Sequence, residues 1–191
     1  MTDILHRLRP PFRKEEETMK LAAKLVLVCA LATIVLATPS PAAGGGNAGW
    51  ERMKSLVGDW EGNYSGSMGK APVAISYRLV SNGTTLMETM KMSMHGETDM
   101  ITMYAPDGDR VVATHYCSEG NQPRMRAAVP AGEVGKLDFR FVDATNLPGP
   151  DAMHMDRLVV TFRDANHFTQ EWTSRDKGKD DTGIFEYARK K

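Results

Sequence analysis

The sequence predicts an all-β protein, an up-and-down antiparallel β-barrel of about ten strands with one short N-terminal helix. Two observations predict this fold. Apolar and polar residues alternate in short segments over most of the chain after residue 50, as in strands with one buried and one solvated face. These segments recur about every 8–12 residues between turn residues, and a barrel of sequential hairpins leaves no sheet edge exposed.

Composition limits the number of domains and the class of partner. The chain has 191 residues, enough for one well-packed domain. It carries 24 Lys and Arg residues against 24 Asp and Glu residues, and this neutral balance argues against nucleic-acid binding. Of the two cysteines, Cys29 lies in a segment that we expect to be removed. Cys117 therefore has no intrachain disulfide partner in the mature chain.

The N-terminal segment, residues 1–43, has the features of a secretory signal peptide. Lysines precede a run of 13 uncharged residues that begins at Leu25 and ends at Ala37. This run is shorter than the roughly 20 apolar residues of a membrane-spanning helix. Acidic residues at 15–17 fit poorly in a signal peptide, so Met19 is a candidate for the true start. We expect an extracytoplasmic protein, periplasmic or secreted, with no stable membrane span after cleavage; a retained anchor is the alternative.

A Gly-rich linker, residues 44–49, leads from the signal segment into the barrel domain, residues 50–191. Three apolar residues near one face predict a short helix from Trp50 to Val57. The alternating segments that predict strands follow in chain order: 73–79, 90–94, 99–105, 111–117, 137–141, 158–162, 168–172 and 183–189.

Turn residues separate these strands. The pair Asn82-Gly83 predicts a hairpin turn, because Asn-Gly readily adopts two positive φ values. Residues 106–109 predict a second turn. The longest irregular stretch, residues 143–155, is a candidate lid or barrel-end loop.

The segment Gly58-Asp59-Trp60 lies at the start of the first strand, and G-x-W in this position resembles lipocalins, fatty-acid-binding proteins and nitrobindins, which are calycin-type barrels. Four longer segments extend the resemblance: LVGDWEG from Leu56, THYC from Thr114, GNQPRM from Gly120 and NHFTQEWT from Asn166. Over residues 50–189 the chain resembles a family of exported bacterial lipocalin-like barrels of unknown function. The resemblance implies the fold and export, and it implies no activity.

The same resemblance implies how the barrel is closed. In lipocalins a late-strand Arg stacks on the Trp of G-x-W, and Arg189 is the matching residue for Trp60. A Trp side chain buries about 200 Å² and needs a partner for its N–H group. We expect Trp60 and Arg189 to have this structural role.

A row of methionines, Met90, Met92 and Met94, lies on one face of a predicted strand. Ordinary core filling is the simplest explanation. A pliable wall for a ligand and a soft Cu(I) site are the alternatives.

Two chemically active side chains, His115 and Cys117, share a face of another strand. A buried thiol beside a hydrogen-bonded His is the simplest explanation. With His154 and Asp156 they could complete a zinc shell, but no zinc motif supports this, and we assign no metal and no cofactor. Side chains two apart on a strand lie about 7 Å apart, too far for direct proton transfer, so we assign no catalytic residue.

The segment HYCSEGNQPR, residues 115–124, concentrates polar groups around a turn. We interpret His115, Asn121, Gln122 and Arg124 as the polar end of a pocket, in which Arg124 holds a carboxylate or phosphate. The alternative is that these side chains only tie the turn to the barrel rim.

These observations predict an exported, monomeric barrel that binds a small apolar or acidic amphiphilic molecule, such as a fatty acid. The alternatives are an enzyme of unknown reaction that uses the same cavity, and a structural envelope protein with a filled barrel. A binding protein should contain a pocket of about 300–1,000 Å³.

Overall fold

The computed structural model describes residues 47–92 and 99–191. In this part of the chain, ten antiparallel strands form a closed barrel in which each strand pairs with its neighbours in sequence and β1 pairs with β10. The predicted up-and-down barrel is confirmed. The strands are β1 (Gly58–Gly66), β2 (Gly69–Val80), β3 (Thr85–Met92), β4 (Met100–Asp107), β5 (Arg110–Tyr116), β6 (Gln122–Ala128), β7 (Lys136–Thr145), β8 (His154–Phe162), β9 (His167–Asp176) and β10 (Lys179–Arg189).

One short helix, α1 (Ala48–Lys54), precedes the barrel. It begins within the expected linker, where Asn47 caps its N-terminus, and it ends before the predicted C-terminus at Val57. The Asn47 side chain accepts a hydrogen bond from the backbone N–H of Trp50 at 2.8 Å. It also donates to the carbonyl oxygens of Gly108 and Arg110, at 3.0 and 2.6 Å. These bonds tie the start of α1 to the β4–β5 turn.

The turn between β2 and β3 follows the sequence prediction. Residues Ser81–Gly83 form a single 3-10 turn, with φ values of 55° at Asn82 and 81° at Gly83. Positive φ is readily tolerated by Asn and Gly, so this pair fixes the hairpin register.

Alternating side chains of all ten strands fill the middle of the barrel. The largest buried ones are Trp60, Tyr77, Tyr104, Phe139 and Phe168. Phe168 contacts Trp60 edge-on at 4.7 Å between ring centroids and stacks on Tyr187 at 4.8 Å. The hydrophobic core therefore lies inside the barrel.

The barrel has two different ends. The helix end carries α1 and the starts of β1, β3, β5, β7 and β9. The opposite end carries the β1–β2, β5–β6, β7–β8 and β9–β10 connections. Met94, one of the three methionines singled out in the sequence, lies between β3 and β4, outside the described residues. Within the described ranges, no helix has both the length and the apolar character needed to cross a membrane.

Candidate functional site

A cavity of about 90 Å³ lies inside the barrel at the end opposite α1. Six methionines line it: Met68, Met90, Met92, Met100, Met153 and Met155. The remaining inner wall includes Tyr64, His115, Cys117, Trp172 and Phe185. We call this site the methionine cavity. It is smaller than a typical small-molecule pocket of about 300–1,000 Å³, so it fits an ion or a small molecule better than an acyl chain.

Two of the three predicted wall methionines lie in this cavity. Met90 and Met92 are both 3% exposed and face inward from β3. Met100 on β4 is the cross-strand partner of Met90, which brings the two side chains together. The sequence pattern missed Met68, Met100, Met153 and Met155, because their strands and loops reach the cavity from elsewhere in the chain.

His115 forms part of the cavity wall. It is 3% exposed, and its Nδ1 lies 2.9 Å from the Oγ1 of Thr102, its cross-strand partner on β4. Its ring packs against Trp172 at 4.8 Å between centroids. Burial lowers the pKa of His115 to about 4, so the imidazole is neutral at pH 7. Its Nε2 is buried and has no hydrogen-bond partner among the residues that the structure describes.

A buried carboxyl group lies behind His115, in the middle of the barrel. Glu88 is 1% exposed. Its Oε2 accepts hydrogen bonds from Tyr77 Oη at 2.6 Å, from Tyr104 Oη at 2.8 Å and from Gln170 Nε2 at 2.8 Å. Gln170 Oε1 in turn accepts a bond from Trp172 Nε1 at 3.3 Å. This network fixes the polar groups on one side of the cavity.

Thr102 lies between the Glu88 network and His115. Burial raises the pKa of Glu88, and hydrogen bonds from four side chains oppose the rise: Tyr77, Tyr104, Gln170 and Thr102. Glu88 and Thr102 are cross-strand partners on β3 and β4, and Thr102 is paired in turn with His115 on β5. The hydrogen bond between Thr102 Oγ1 and Nδ1 occupies one ring nitrogen of His115, and Nε2 is the nitrogen left without a partner among the described residues.

Asn121 and Gln122 tie the rim of the barrel together. Asn121 is 2% exposed, and its Nδ2 donates to the carbonyl oxygen of Met153 at 2.8 Å. Gln122 donates to the carbonyl oxygen of Gly120 at 2.9 Å and accepts from Thr145 Oγ1 at 2.7 Å. Neither residue lines the methionine cavity, although Asn121 holds Met153, which does.

Arg124 lies elsewhere, and its expected position is corrected. Pro123 and Met125 take the inward positions of β6, so Arg124 faces outward. Its guanidinium group binds both carboxylate oxygens of Asp143 on β7. This contact raises the pKa of Arg124 and lowers the pKa of Asp143. The structure therefore does not bring Arg124 together with His115.

Trp60 and Arg189 lie at the helix end. The Cζ atom of Arg189 is 4.0 Å from the centroid of the Trp60 ring. Trp60 Nε1 donates to the carbonyl oxygen of Leu56 at 2.8 Å. Arg189 donates to the carbonyl oxygens of Ser55 and Val57, both at 2.9 Å. These contacts close the barrel beneath α1.

An open groove bordered by β1, β2, β3, β9 and β10 is larger in volume than the methionine cavity. Its lining carries charges of both signs, including Glu61, Lys91, Arg163 and Glu186. Neither His115 nor Glu88 borders it, so it has no contact with the buried polar network.

Comparison with known proteins supports the fold. No protein-family model matches the chain, and no curated protein matches it. The solved structure of a protein of unknown function from the DUF3598 family of Nostoc punctiforme is similar, with a TM-score of 0.50 and 14% sequence identity. The match covers 72% of this chain and 49% of that chain, so the present chain spans about half the length of its neighbour. At this identity the similarity shows the barrel fold alone.

A redesigned β-barrel is also similar, with a TM-score of 0.39 and 10% identity, over 72% of this chain and 94% of that one.

Proposed function

We propose that the protein is an extracytoplasmic binding protein that holds a small ligand in the methionine cavity. The observation that carries this proposal is the Nε2 atom of His115: the residue lines the cavity, and this atom is buried without a partner among the described residues. A buried polar atom left unpaired costs about 1–3 kcal/mol. A ligand that bonds to Nε2 removes this penalty.

Other unpartnered polar atoms do not offer the same site. The Tyr187 hydroxyl and Asn121 Oδ1 also have no partner in the described part of the chain. Neither residue lines the cavity, whereas His115 does. A mostly apolar wall with one fixed polar atom is typical of a small-ligand site, and methionines adapt their shape to an occupant.

The remaining parts of the proposal rest on the sequence. The signal-like segment of residues 1–43 supports export, and the segments shared with exported lipocalin-like barrels support membership of that family. The closed barrel leaves no strand edge free, which favours a monomer. The cavity volume favours a ligand smaller than the fatty acid that the sequence suggests.

A structural protein with a filled barrel is the second candidate. Tyr77, Tyr104, Phe139 and Phe168 fill the middle of the barrel, and the Glu88 network occupies most polar groups there. On this alternative the methionine cavity is a packing defect that holds no ligand.

The first test asks whether the cavity takes an occupant. Xenon fills apolar cavities of suitable size, so we expect xenon pressure to shift the ¹³C-methyl NMR signals of Met90 and Met100. The matched control is Met87 and Met103, which are cross-strand partners on the outer face of the same two strands. Their methyl signals should not move.

The second test asks what the protein carries in its own compartment. Native mass spectrometry of protein purified from the extracytoplasmic fraction should detect a bound component, which His115→Phe loses and the exposed-site control His167→Phe keeps. If the wild-type protein carries no bound component and xenon does not shift the Met90 and Met100 signals, ligand binding is contradicted and the filled barrel is favoured. A full-length chain found only in the cytoplasm contradicts export.

A further inference from the structure

Thioether sulfur is concentrated around the methionine cavity. The chain has 13 methionines, and six of them line this single void. Met90 and Met100 approach from β3 and β4, while Met155 approaches from β8, on the opposite side of the ten-stranded ring. Leu and Ile have better-defined rotamers than Met and fill a core more rigidly. Core filling alone therefore does not explain why methionines occupy these wall positions. Thioether sulfur is a soft, polarizable donor.

His115 adds a nitrogen donor in the form that metal ions bind. Its Nδ1 is hydrogen-bonded to Thr102 Oγ1 at 2.9 Å, and Thr102 is the cross-strand partner of Glu88. A metal-ligating histidine is oriented in this way, with one ring nitrogen bonded to a polar group and the other free for the metal. The free atom here is Nε2, and His115 is a residue of the methionine-cavity wall.

The charges around the cavity favour a cation. Among the described lining residues there is no Lys or Arg, and the charged ones are Glu119 and Asp181 at the mouth. The buried carboxyl group of Glu88 lies one strand further, beside Thr102, which is hydrogen-bonded to His115. When ionised, this group would stabilise a positive charge placed in the cavity.

The donor set selects a soft ion. In the described part of the chain, no three His, Cys, Asp or Glu side chains come together as Zn²⁺ sites in proteins require. Thioether and imidazole donors suit Cu(I) instead, and Ag(I) is its redox-inert analogue.

We propose that the methionine cavity binds one soft monovalent cation, Cu(I) in the cell and Ag(I) as its analogue, through His115 Nε2 and the thioether sulfurs of Met90, Met100 and their neighbours in the wall. This inference rests on the proposed function, since it names the class of ligand for the same cavity. Binding involves no change of oxidation state, because the ion only accepts lone pairs from the imidazole nitrogen and the thioether sulfurs.

The experiment titrates the purified protein with Ag(I), and separately with Cu(I) under anaerobic conditions in competition with a Cu(I) chelator. Native mass spectrometry should show one ion per chain. In ¹⁵N-histidine-labelled protein, the Nε2 signal of His115 should shift on binding while its Nδ1 signal stays near its starting position. Zn²⁺ should leave both signals unchanged.

Variants assign the donors. The double substitution Met90→Leu with Met100→Leu, and separately His115→Phe, should each weaken the affinity by about tenfold or more, since even outer-shell changes have effects of this size. The outward pair Met87→Leu with Met103→Leu is the matched control and should keep the wild-type affinity. Circular dichroism and unfolding midpoints confirm that each variant is folded.

The same measurements separate this inference from the proposed function. If xenon shifts Met90 and Met100 while neither ion binds, the cavity binds a neutral ligand and the soft-cation inference is overturned. If neither xenon nor either ion enters, both proposals fail. Cys117→Ser should retain the ion; if it abolishes binding while the methionine and His115 variants keep it, the ion is held by the thiol and the inference is wrong.

Discussion

The Trp60–Arg189 pair and His115 lie at opposite ends of the barrel and differ in how their polar atoms are satisfied. At the helix end, the nitrogen of Trp60 and the guanidinium of Arg189 donate to backbone carbonyl oxygens, and the two side chains stack at 4.0 Å. At the opposite end, His115 keeps one nitrogen unpartnered among the described residues, and flexible thioethers surround it. The first arrangement stabilises the fold, while the second leaves bonding capacity for a ligand.

This difference has a physical basis. Backbone carbonyls in a closed barrel are fixed in position, so an Arg that reaches three of them is held rigidly and in turn holds the elements that it joins. A thioether makes no strong hydrogen bond and rotates freely about three bonds. We expect substitutions at the helix end to change mainly stability, and substitutions at the methionine cavity to change mainly binding.

The largest effect should come from Trp60→Ala. The side chain is 2% exposed and contacts Phe168 at 4.7 Å, so its removal leaves a cavity at the helix end. Truncation of a buried aromatic residue of this size lowers the unfolding free energy by about 3–5 kcal/mol. Urea unfolding followed by circular dichroism measures it.

Trp60→Phe is the control for this substitution. It keeps a ring in place and loses mainly the bond to Leu56, so its cost should be clearly smaller than that of Trp60→Ala. An unfolding midpoint that does not move in Trp60→Ala contradicts the view that the helix end stabilises the barrel.

The next effect should appear on acidification, at the opposite end. The pKa of His115 is about 4 in the folded protein and about 6.5 in an unfolded chain, so the unfolded state takes up its proton first as the pH falls. The contribution of the neutral His115 imidazole to the unfolding free energy is therefore complete above about pH 6.5 and is lost as the pH falls towards 4. The loss amounts to about 3 kcal/mol between pH 7 and pH 4.

The comparison with His115→Phe isolates this contribution. Burial raises the pKa of Glu88, so Glu88 acts with the opposite sign: its folded form takes up a proton first on acidification. Subtracting the pH profile of His115→Phe from that of the wild type removes contributions common to both proteins. Parallel profiles from pH 7 to pH 4 would show that His115 does not titrate as its burial requires.

A smaller effect should follow from Arg189→Met. This substitution keeps an apolar stem over Trp60 and removes three bonds to backbone carbonyl oxygens. Loss of charged hydrogen bonds that are partly exposed should lower the unfolding free energy by about 2 kcal/mol. Arg163→Met, at an exposed position of the same end, is the control and should have little effect. Equal effects of the two substitutions contradict a closing role for Arg189.

Alternation in the sequence was enough to predict the barrel and the inward direction of Trp60, Met90 and His115. It was enough because each strand has one buried face, so a side chain's direction follows from its parity. The same rule applied to β6 would have turned Arg124 outward, since Met125 is the apolar member of that segment. Arg124 was expected to face the cavity because it lies close in sequence to Asn121 and Gln122. Closeness in sequence does not determine which face of a strand a side chain takes.

The buried network was harder to predict. Glu88 has inward parity between Leu86 and Met90, and a charge in that position is a signal that could have been noticed. Its partners Tyr77 and Gln170 come from distant strands, and only the closed barrel brings them together. A register irregularity between Met155 and Arg157 also shifts the parity of β8, so the approach of Met155 to the cavity could not be read from alternation.

The smallest stability effect, and the sharpest comparison, should come from the two methionine pairs. Met and Leu have similar volumes, so Met90→Leu with Met100→Leu should lower the unfolding free energy by less than about 1.5 kcal/mol per site, measured with a chelator present. The outward pair Met87→Leu with Met103→Leu should do the same or less, because these side chains are only half-buried. If the inner pair is ordinary core, the inner double variant will lose more unfolding free energy than the outer one, and Ag(I) affinity will not distinguish the two. If the sulfur atoms serve a ligand, stability will stay close to that of the outer pair while Ag(I) affinity falls only for the inner pair. Equal Ag(I) affinity in both double variants, with both folded, contradicts the division of roles between the two ends of the barrel.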